Sequence, residues 1–320
     1  MVTHIYDVKD CPQIEMPSVV GIGVFDGVHL GHQKIIQQIS QAARQAQLLS
    51  IILTFDPHPD EFFSQKPIPL IQTLDQRINT LQAAGIQRII VVRFNHHFAF
   101  LPAEDFLRRI ILGCLKARLI IIGENFRFGH QRQGTPELLQ KWGPKLGFAT
   151  RIVPSLRADG QTISSSLIRE LLRQGRIEEA NHLLGRPYSI EGMVTTGQAR
   201  GKQLGFPTAN LESPNHLLCQ GVFISVVEWG DRKWPALTNI GRCPTFKQEK
   251  TQVECHLLHF QGHLYGEKLK IYFYHKLRDE KQFPSARALT DQIKKDRQQA
   301  EDYFHHHQVL EKNNPSSKKK

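Results

Sequence analysis

The sequence predicts a Rossmann-like α/β domain built on a parallel sheet, followed by a small antiparallel β-barrel with a C-terminal helix. Three observations carry this. Up to about residue 185, short runs that are apolar throughout alternate with helical patterns, as strands buried on both faces require. At Leu183-Leu184-Gly185-Arg186-Pro187-Tyr188 a helical pattern ends on glycine, and proline bars its continuation. Beyond it, runs rich in Val, Ile, Thr, Tyr and Phe show partial alternation between Gly, Pro and Asn. A chain of 320 residues is long enough for two such domains. The expected division is 1–185, 186–308 and a basic, disordered tail over 309–320.

In the first part the strand expectations are 18–24, 49–55, 88–94, 118–122 and 148–153. Ile35, Ile36, Ile39, Ala42, Ala43 and Ala46 share one helical face. Thr73 with Gln76 has the spacing of a capping box, and helices begin at Pro102 and at Thr135-Pro136. In the second part, strands are expected at 188–196, 221–229, 233–240, 252–260 and 268–275. A last helix starts near Pro284, with Leu289, Ile293, Ala300 and Phe304 largely on one face.

Composition narrows the class. With 40% hydrophobic and 22% charged residues the chain is ordinary for a water-facing globular protein. No apolar run approaches the roughly 18 residues of a membrane span, and the start lacks a signal-peptide profile, so the cytoplasm is expected. The five cysteines are widely spaced without a C-x-x-C pair and read as reduced thiols. A net charge of +11 suits phosphate-rich ligands, and nonspecific nucleic-acid contact equally. No reader motif interleaves the basic residues with aromatics, however.

The first chemical centre is Gly21-Ile-Gly23-Val-Phe-Asp26-Gly-Val-His29-Leu-Gly-His32, where an apolar run stops in a turn and a helical pattern begins. The first N–H groups of a helix lack internal partners and face the positive end of its dipole, which favours phosphate. His29 and His32, three apart, can serve one ligand and stabilise charge on a departing pyrophosphate. A dinucleotide fingerprint and a P-loop are both absent. Three stretches follow other strand ends or open a helix: Phe55-Asp-Pro-His58-Pro, Gly123-Glu-Asn125-Phe-Arg127-Phe-Gly, and Ile163-Ser164-Ser165-Ser-Leu-Ile-Arg169. In parallel sheets ligands sit beyond the carboxyl ends of the strands.

The second centre is Gly197-Gln-Ala-Arg-Gly201-Lys202-Gln-Leu-Gly205-Phe-Pro-Thr208-Ala-Asn210. Its glycines can wrap phosphates with backbone N–H groups, while a Thr hydroxyl and an Asn carbonyl can supply oxygen to Mg²⁺. Val253-Glu254-Cys-His-Leu257 places a carboxylate in a strand, a solvated residue or a base.

Together these stretches resemble the bacterial bifunctional riboflavin kinase/FAD synthetases, whose first domain belongs to the HxGH nucleotidyltransferase group. The resemblance runs from about residue 15 to 305. It implies riboflavin phosphorylation to FMN by ATP in the second domain, and adenylylation of FMN to FAD with release of pyrophosphate in the first. It assigns His29, His32 and Arg169 to adenylyl transfer, and Gly23, Asn125, Arg127, Ser164 and Ser165 to ATP. Gly197, Gly201, Lys202 and Gly205 fall to the kinase phosphates, Thr208 and Asn210 to ATP and Mg²⁺, and Glu254 to the base. Flavin contacts are implied at His58, Arg278 and Phe283. Asn125, Ser166, Cys243 and His259 stand where relatives often carry Asp, Thr, Arg and Asp. The implied partners are riboflavin, FMN and ATP, with no specific nucleic acid and no membrane; homo-oligomerisation stays open. A decayed, monofunctional relative and a flavin-sensing nucleic-acid-binding protein are the rival readings.

Overall fold

The computed structural model describes residues 1–307 except Tyr6, Val8, Lys9, Gln13, 197–204 and 245–248. Gly197, Gly201, Lys202 and the expected tail therefore lie outside the described residues. Contacts divide the chain into two units, Met1–Ser165 and Ser166–Lys320.

The first unit is a six-stranded parallel sheet in the order β1-β4-β3-β2-β5-β6. Its strands are β1 (Val2–Ile5), β2 (Ser18–Ile22), β3 (Leu49–Asp56), β4 (Arg88–Arg93), β5 (Ala117–Gly123) and β6 (Ala149–Val153). β1 is an edge strand that the sequence pattern did not signal, because four residues are too few for a periodicity. Alternate residues feed two cores. Val20, Ile22, Ile51, Leu53, Ile90, Val92, Ile120 and Ile122 pack on one face with Leu107, Ile110 and Ile111. Val19, Ile52, Ile89, Val91 and Ile121 pack on the other with Ile36, Ile39, Ile78 and Leu81. The helices that cover the sheet include α1 (Leu30–Ala46) and α3 (Leu74–Ala83), the latter opened by the expected capping box of Thr73 and Gln76, while α2 (Pro59–Ser64) follows β3 and buries none of its residues. The helix expected from Pro102 is realised as a short α-helical turn, Ala103–Asp105, running into a π-helix, Phe106–Cys114.

Cys11 and Cys114 are paired as a disulfide with Cα atoms 5.9 Å apart. This corrects the expectation of five reduced thiols: a separation of 103 residues carries no pairing signal, and only the fold brings the two together. Cys219 and Cys255 are free and buried.

The second unit is a closed barrel. Its strands are β9 (Tyr188–Thr195), β10 (Ala209–Glu212), β11 (Gly221–Trp229), β12 (Arg232–Pro244), β13 (Glu249–Leu257) and β14 (Lys268–Arg278), in the order β10-β13-β12-β11-β14-β9, and β9 pairs back to β10. Strand numbers 7 and 8 belong to a two-residue hairpin of the first unit, Arg157–Ala158 and Gln161–Thr162. β10 begins within the Thr208-Ala-Asn210 motif, is too short to show a strand pattern, and closes the barrel by pairing with both β13 and β9. Inside, Ser225, Thr238 and Cys255 form a fully buried hydrogen-bonded chain. The C-terminal helix, Ala286–His307, sets Ala300 and Phe304 against Ile224, Leu237 and Leu258.

Candidate active sites

In the first unit the order β3-β2-β5 sets the ends of three neighbouring strands side by side. The histidine turn leaves β2, His58 follows β3, and Asn125 follows β5, so the sheet itself brings the three stretches to one edge. Gly23 N–H donates to Leu53 O at 3.1 Å, which ties the start of the turn to β3. The chain then passes through positive φ at Phe25 (56°), Gly27 (76°) and Val28 (41°). At Gly27 a Cβ would also lie 2.8 Å from Ile71, so both the conformation and the space call for glycine.

His29 caps α1, its Nδ1 accepting the N–H of His32 at 3.4 Å. The two imidazoles stack with centroids 3.7 Å apart and planes 19° from parallel. Because Nδ1 of His29 accepts, its proton belongs on Nε2, the ring edge turned from the backbone. His58 is built the same way: it caps α2, and its Nδ1 accepts the N–H of Asp60 at 3.1 Å. Ser165 Oγ donates to Asp26 O at 2.9 Å, so the serine segment is tied to the histidine turn. Asn125 donates to Ser155 Oγ at 3.3 Å, and Arg127 to Phe126 O at 2.7 Å, both on the exposed surface. Phe128 belongs to the core, where it packs on Phe106. Ser164 is half-buried just before the helix Ser165–Arg173, and Arg169 is half-buried within that helix, in the stretch counted with the second unit.

In the barrel, β13 pairs with both β10 and β12, so Asn210, Glu254 and Asn239 stand directly opposite one another. Directly opposed residues share a sheet face. The flanking Val253 and Cys255 point into the buried interior, which leaves this polar row on the other face. Asn210 Oδ1 accepts from the Gln252 amide, and Asn239 Oδ1 is buried without a hydrogen-bond partner among the described residues. Thr208 is half-buried one residue before β10 begins, and Gly205 holds φ +83° in the turn ahead of it. His256 Nδ1 bonds Pro207 O at 2.8 Å while its ring meets Phe206 edge-on, which anchors the Phe206–Thr208 segment. Burial lowers the His256 pKa against the raising effect of that carbonyl, with Arg297 lowering it further. Burial also pushes the Cys255 thiol up to about 12, keeping it protonated behind Glu254.

Arg278 is clamped by Asp296 of the C-terminal helix, Nη2 to Oδ2 at 2.7 Å and Nε to the same carboxylate at 3.0 Å. Its guanidinium lies 5.7 Å from the Phe283 ring centroid, so the two expected flavin contacts are neighbours. Asn239, His256 and Asp296 were not singled out from the sequence. Only His256 carried a signal, two residues from Glu254 and so on the same strand face.

A model of the FAD synthetase family matches residues 11–167, and one of the riboflavin kinase family matches 184–304. A bifunctional riboflavin kinase/FMN adenylyltransferase of Bacillus subtilis is 37% identical over 295 residues, covering 90% of this chain and 92% of its own. One from Buchnera aphidicola subsp. Schizaphis graminum is 36% identical, covering 93% and 97%. The chain belongs to the bifunctional riboflavin kinase/FMN adenylyltransferase family. Within this family the Escherichia coli K12 protein is 33% identical over 307 residues, covering 95% of this chain and 97% of its own. Among solved structures, the crystal structure of a macrolide-efflux protein from Streptococcus pneumoniae superposes with TM-score 0.85 at 31% identity, over 93% of this chain and 97% of that one. No described helix of this chain is long and apolar enough to cross a membrane.

Proposed function

We propose that this chain performs both flavin-cofactor steps, phosphorylating riboflavin in the barrel unit and adenylylating FMN in the parallel-sheet unit. The observation that carries the reading is that each unit assembles its own polar set: the Asn210–Glu254–Asn239 row beside Thr208 in one, the stacked histidine turn between His58 and Asn125 in the other. The functional boundary of this reading is 185/186, at the Gly185-Arg186-Pro187 break and just inside the start of the riboflavin kinase match at 184, with 309–320 as a basic tail.

In the kinase step Glu254 accepts the proton of the riboflavin 5′-hydroxyl as its oxygen bonds the γ-phosphorus of ATP and the bond to ADP breaks. Gly197, Gly201, Lys202 and Gly205 cradle the phosphates, while Arg278 and Phe283 receive the flavin. Thr208 and Asn210 suit a hard cation. Both offer neutral oxygen, Asn210 Oδ1 keeps a second lone pair beyond the Gln252 bond, and Asn239 Oδ1, without a hydrogen-bond partner among the described residues, lies in the same row. Mg²⁺ bound there would neutralise phosphate charge.

In the second step an FMN phosphate oxygen bonds the α-phosphorus of ATP and pyrophosphate leaves. His29 through Nε2, His32 and Arg169 stabilise the departing charge, and Gly23, Asn125, Arg127, Ser164 and Ser165 hold the nucleotide, with His58 on the flavin side. Both steps use free small molecules in the cytoplasm. The test is incubation of the purified protein with riboflavin and Mg-ATP, flavins being resolved by chromatography over time. FMN should appear first and FAD after it; an unchanged riboflavin peak would refute the reading.

A further inference from the structure

Arg77 lies on α3 and is 1% exposed, yet it carries a full guanidinium. Nη1 donates to Val24 O at 3.0 Å and Nη2 to Phe55 O at 2.9 Å. Val24 stands two residues beyond the end of β2, just ahead of the histidine turn; Phe55 stands in the last turnover of β3, three residues ahead of His58. Thr54 Oγ1 adds a second donor to Val24 O at 2.9 Å. Burial lowers the Arg77 pKa against the raising effect of Asp26 and Asp56, and Asp26 in turn accepts the N–H groups of Ile71 at 3.0 Å and Gln72 at 3.3 Å, just ahead of α3. The network is thus a closed ring: helix, loop, histidine turn, second strand end, and back to the helix.

A buried cation is an expensive way to fill a core, and an apolar side chain of similar volume would do so at lower cost. Nε of Arg77 is moreover buried without a hydrogen-bond partner among the described residues, a further cost that stability alone does not explain. What the guanidinium supplies is a rigid fork whose two arms reach one carbonyl just past the end of β2 and one near the end of β3. We propose that Arg77 is a positioning residue for adenylyl transfer, setting the spacing between the His29/His32 turn and the His58 loop. It touches no reacting atom; it acts through the strand ends that deliver the histidines. The role rests on reading this unit as the FMN adenylyltransferase.

The test compares wild type, Arg77→Met and Arg77→Lys, with FMN and Mg-ATP supplied, at a temperature where melting curves show each protein folded. Riboflavin phosphorylation on the same preparations is the internal control. Misplacing a reacting group by about 1 Å costs up to about 10²-fold, so kcat for FAD formation should fall at least about 10-fold in Arg77→Met. KM should change less, and phosphorylation should stay near wild type. Lysine can bond one carbonyl but not span both, so Arg77→Lys should recover melting temperature more fully than kcat. A merely structural arginine would shift the melting temperature and leave kcat and KM of the folded enzyme unchanged; that result would overturn the role. If Arg77→Met does not fold, Arg77→Lys decides by the same criterion. A wild type that forms no FAD would overturn the reading of the unit and the role with it.

Discussion

Glu254 separates chemistry from binding at the level of one side chain. Gln keeps its shape and one acceptor, so the strand register with Asn210 and Asn239 should survive, but an amide is no base near neutral pH. Riboflavin phosphorylation in single turnover should fall by about 10² to 10⁴, the usual worth of general-base assistance, while supplied FMN still becomes FAD at the wild-type rate. His256 makes a pH prediction. Its pKa is lowered in the folded barrel, so below the ordinary value of about 6.5 the unfolded chain binds a proton that the folded one does not. Stability from this group is therefore fully present above that pH and declines as pH falls toward the folded value. Urea titrations at pH 7.5 and 5.5 should show a smaller acid-side loss in His256→Gln than in wild type. Glu254 was legible in the sequence because its motif is contiguous. Asn239 and Asp296 were not, since each acquires its neighbour through strand register or helix docking.

Elements decide how these side chains are held. The C-terminal helix is bonded to β14 through Asp296, which is 2% exposed and receives both Arg278 and Gln292. Removing one partner of a buried pair leaves an uncompensated charge, so Asp296→Ala should cost about 3 kcal/mol in the barrel unit. Chemical denaturation followed by the barrel tryptophans, Trp229 and Trp234, reads this, and KM for riboflavin should rise as Arg278 and Phe283 lose their fixed place. At the histidine turn, Gly27→Ala meets both a φ of +76° and a contact of 2.8 Å with Ile71. A left-handed non-glycine residue alone costs about 1–2 kcal/mol. FAD formation should drop while FMN accumulates; unchanged FAD output would show that the turn tolerates displacement. The long strands and α1 were readable because periodicity accumulates over many residues. β1 and β10 were not, being four residues each, too short for a pattern and defined by what they pair with.

For the molecule as a whole, two activities on one chain should come apart under mutation. His29→Ala with His32→Ala should abolish FAD formation and leave FMN to accumulate, because only stabilisation of departing pyrophosphate is lost; chromatography of riboflavin reactions reads both products at once, and normal FAD would refute the assignment. The sequence by itself determined the two-part architecture, the family, and the identity of the polar residues in each motif, because apolar periodicity and contiguous motifs are local properties. Tertiary structure alone decided which of those residues meet. Sheet order set the loops after β2, β3 and β5 side by side, and strand register aligned Asn210, Glu254 and Asn239. Folding also joined Cys11 to Cys114 across 103 residues and closed the Arg77 ring between two strand ends. Each of these depends on long-range pairing, whose energy belongs to the folded arrangement and leaves no spacing in the chain to be read.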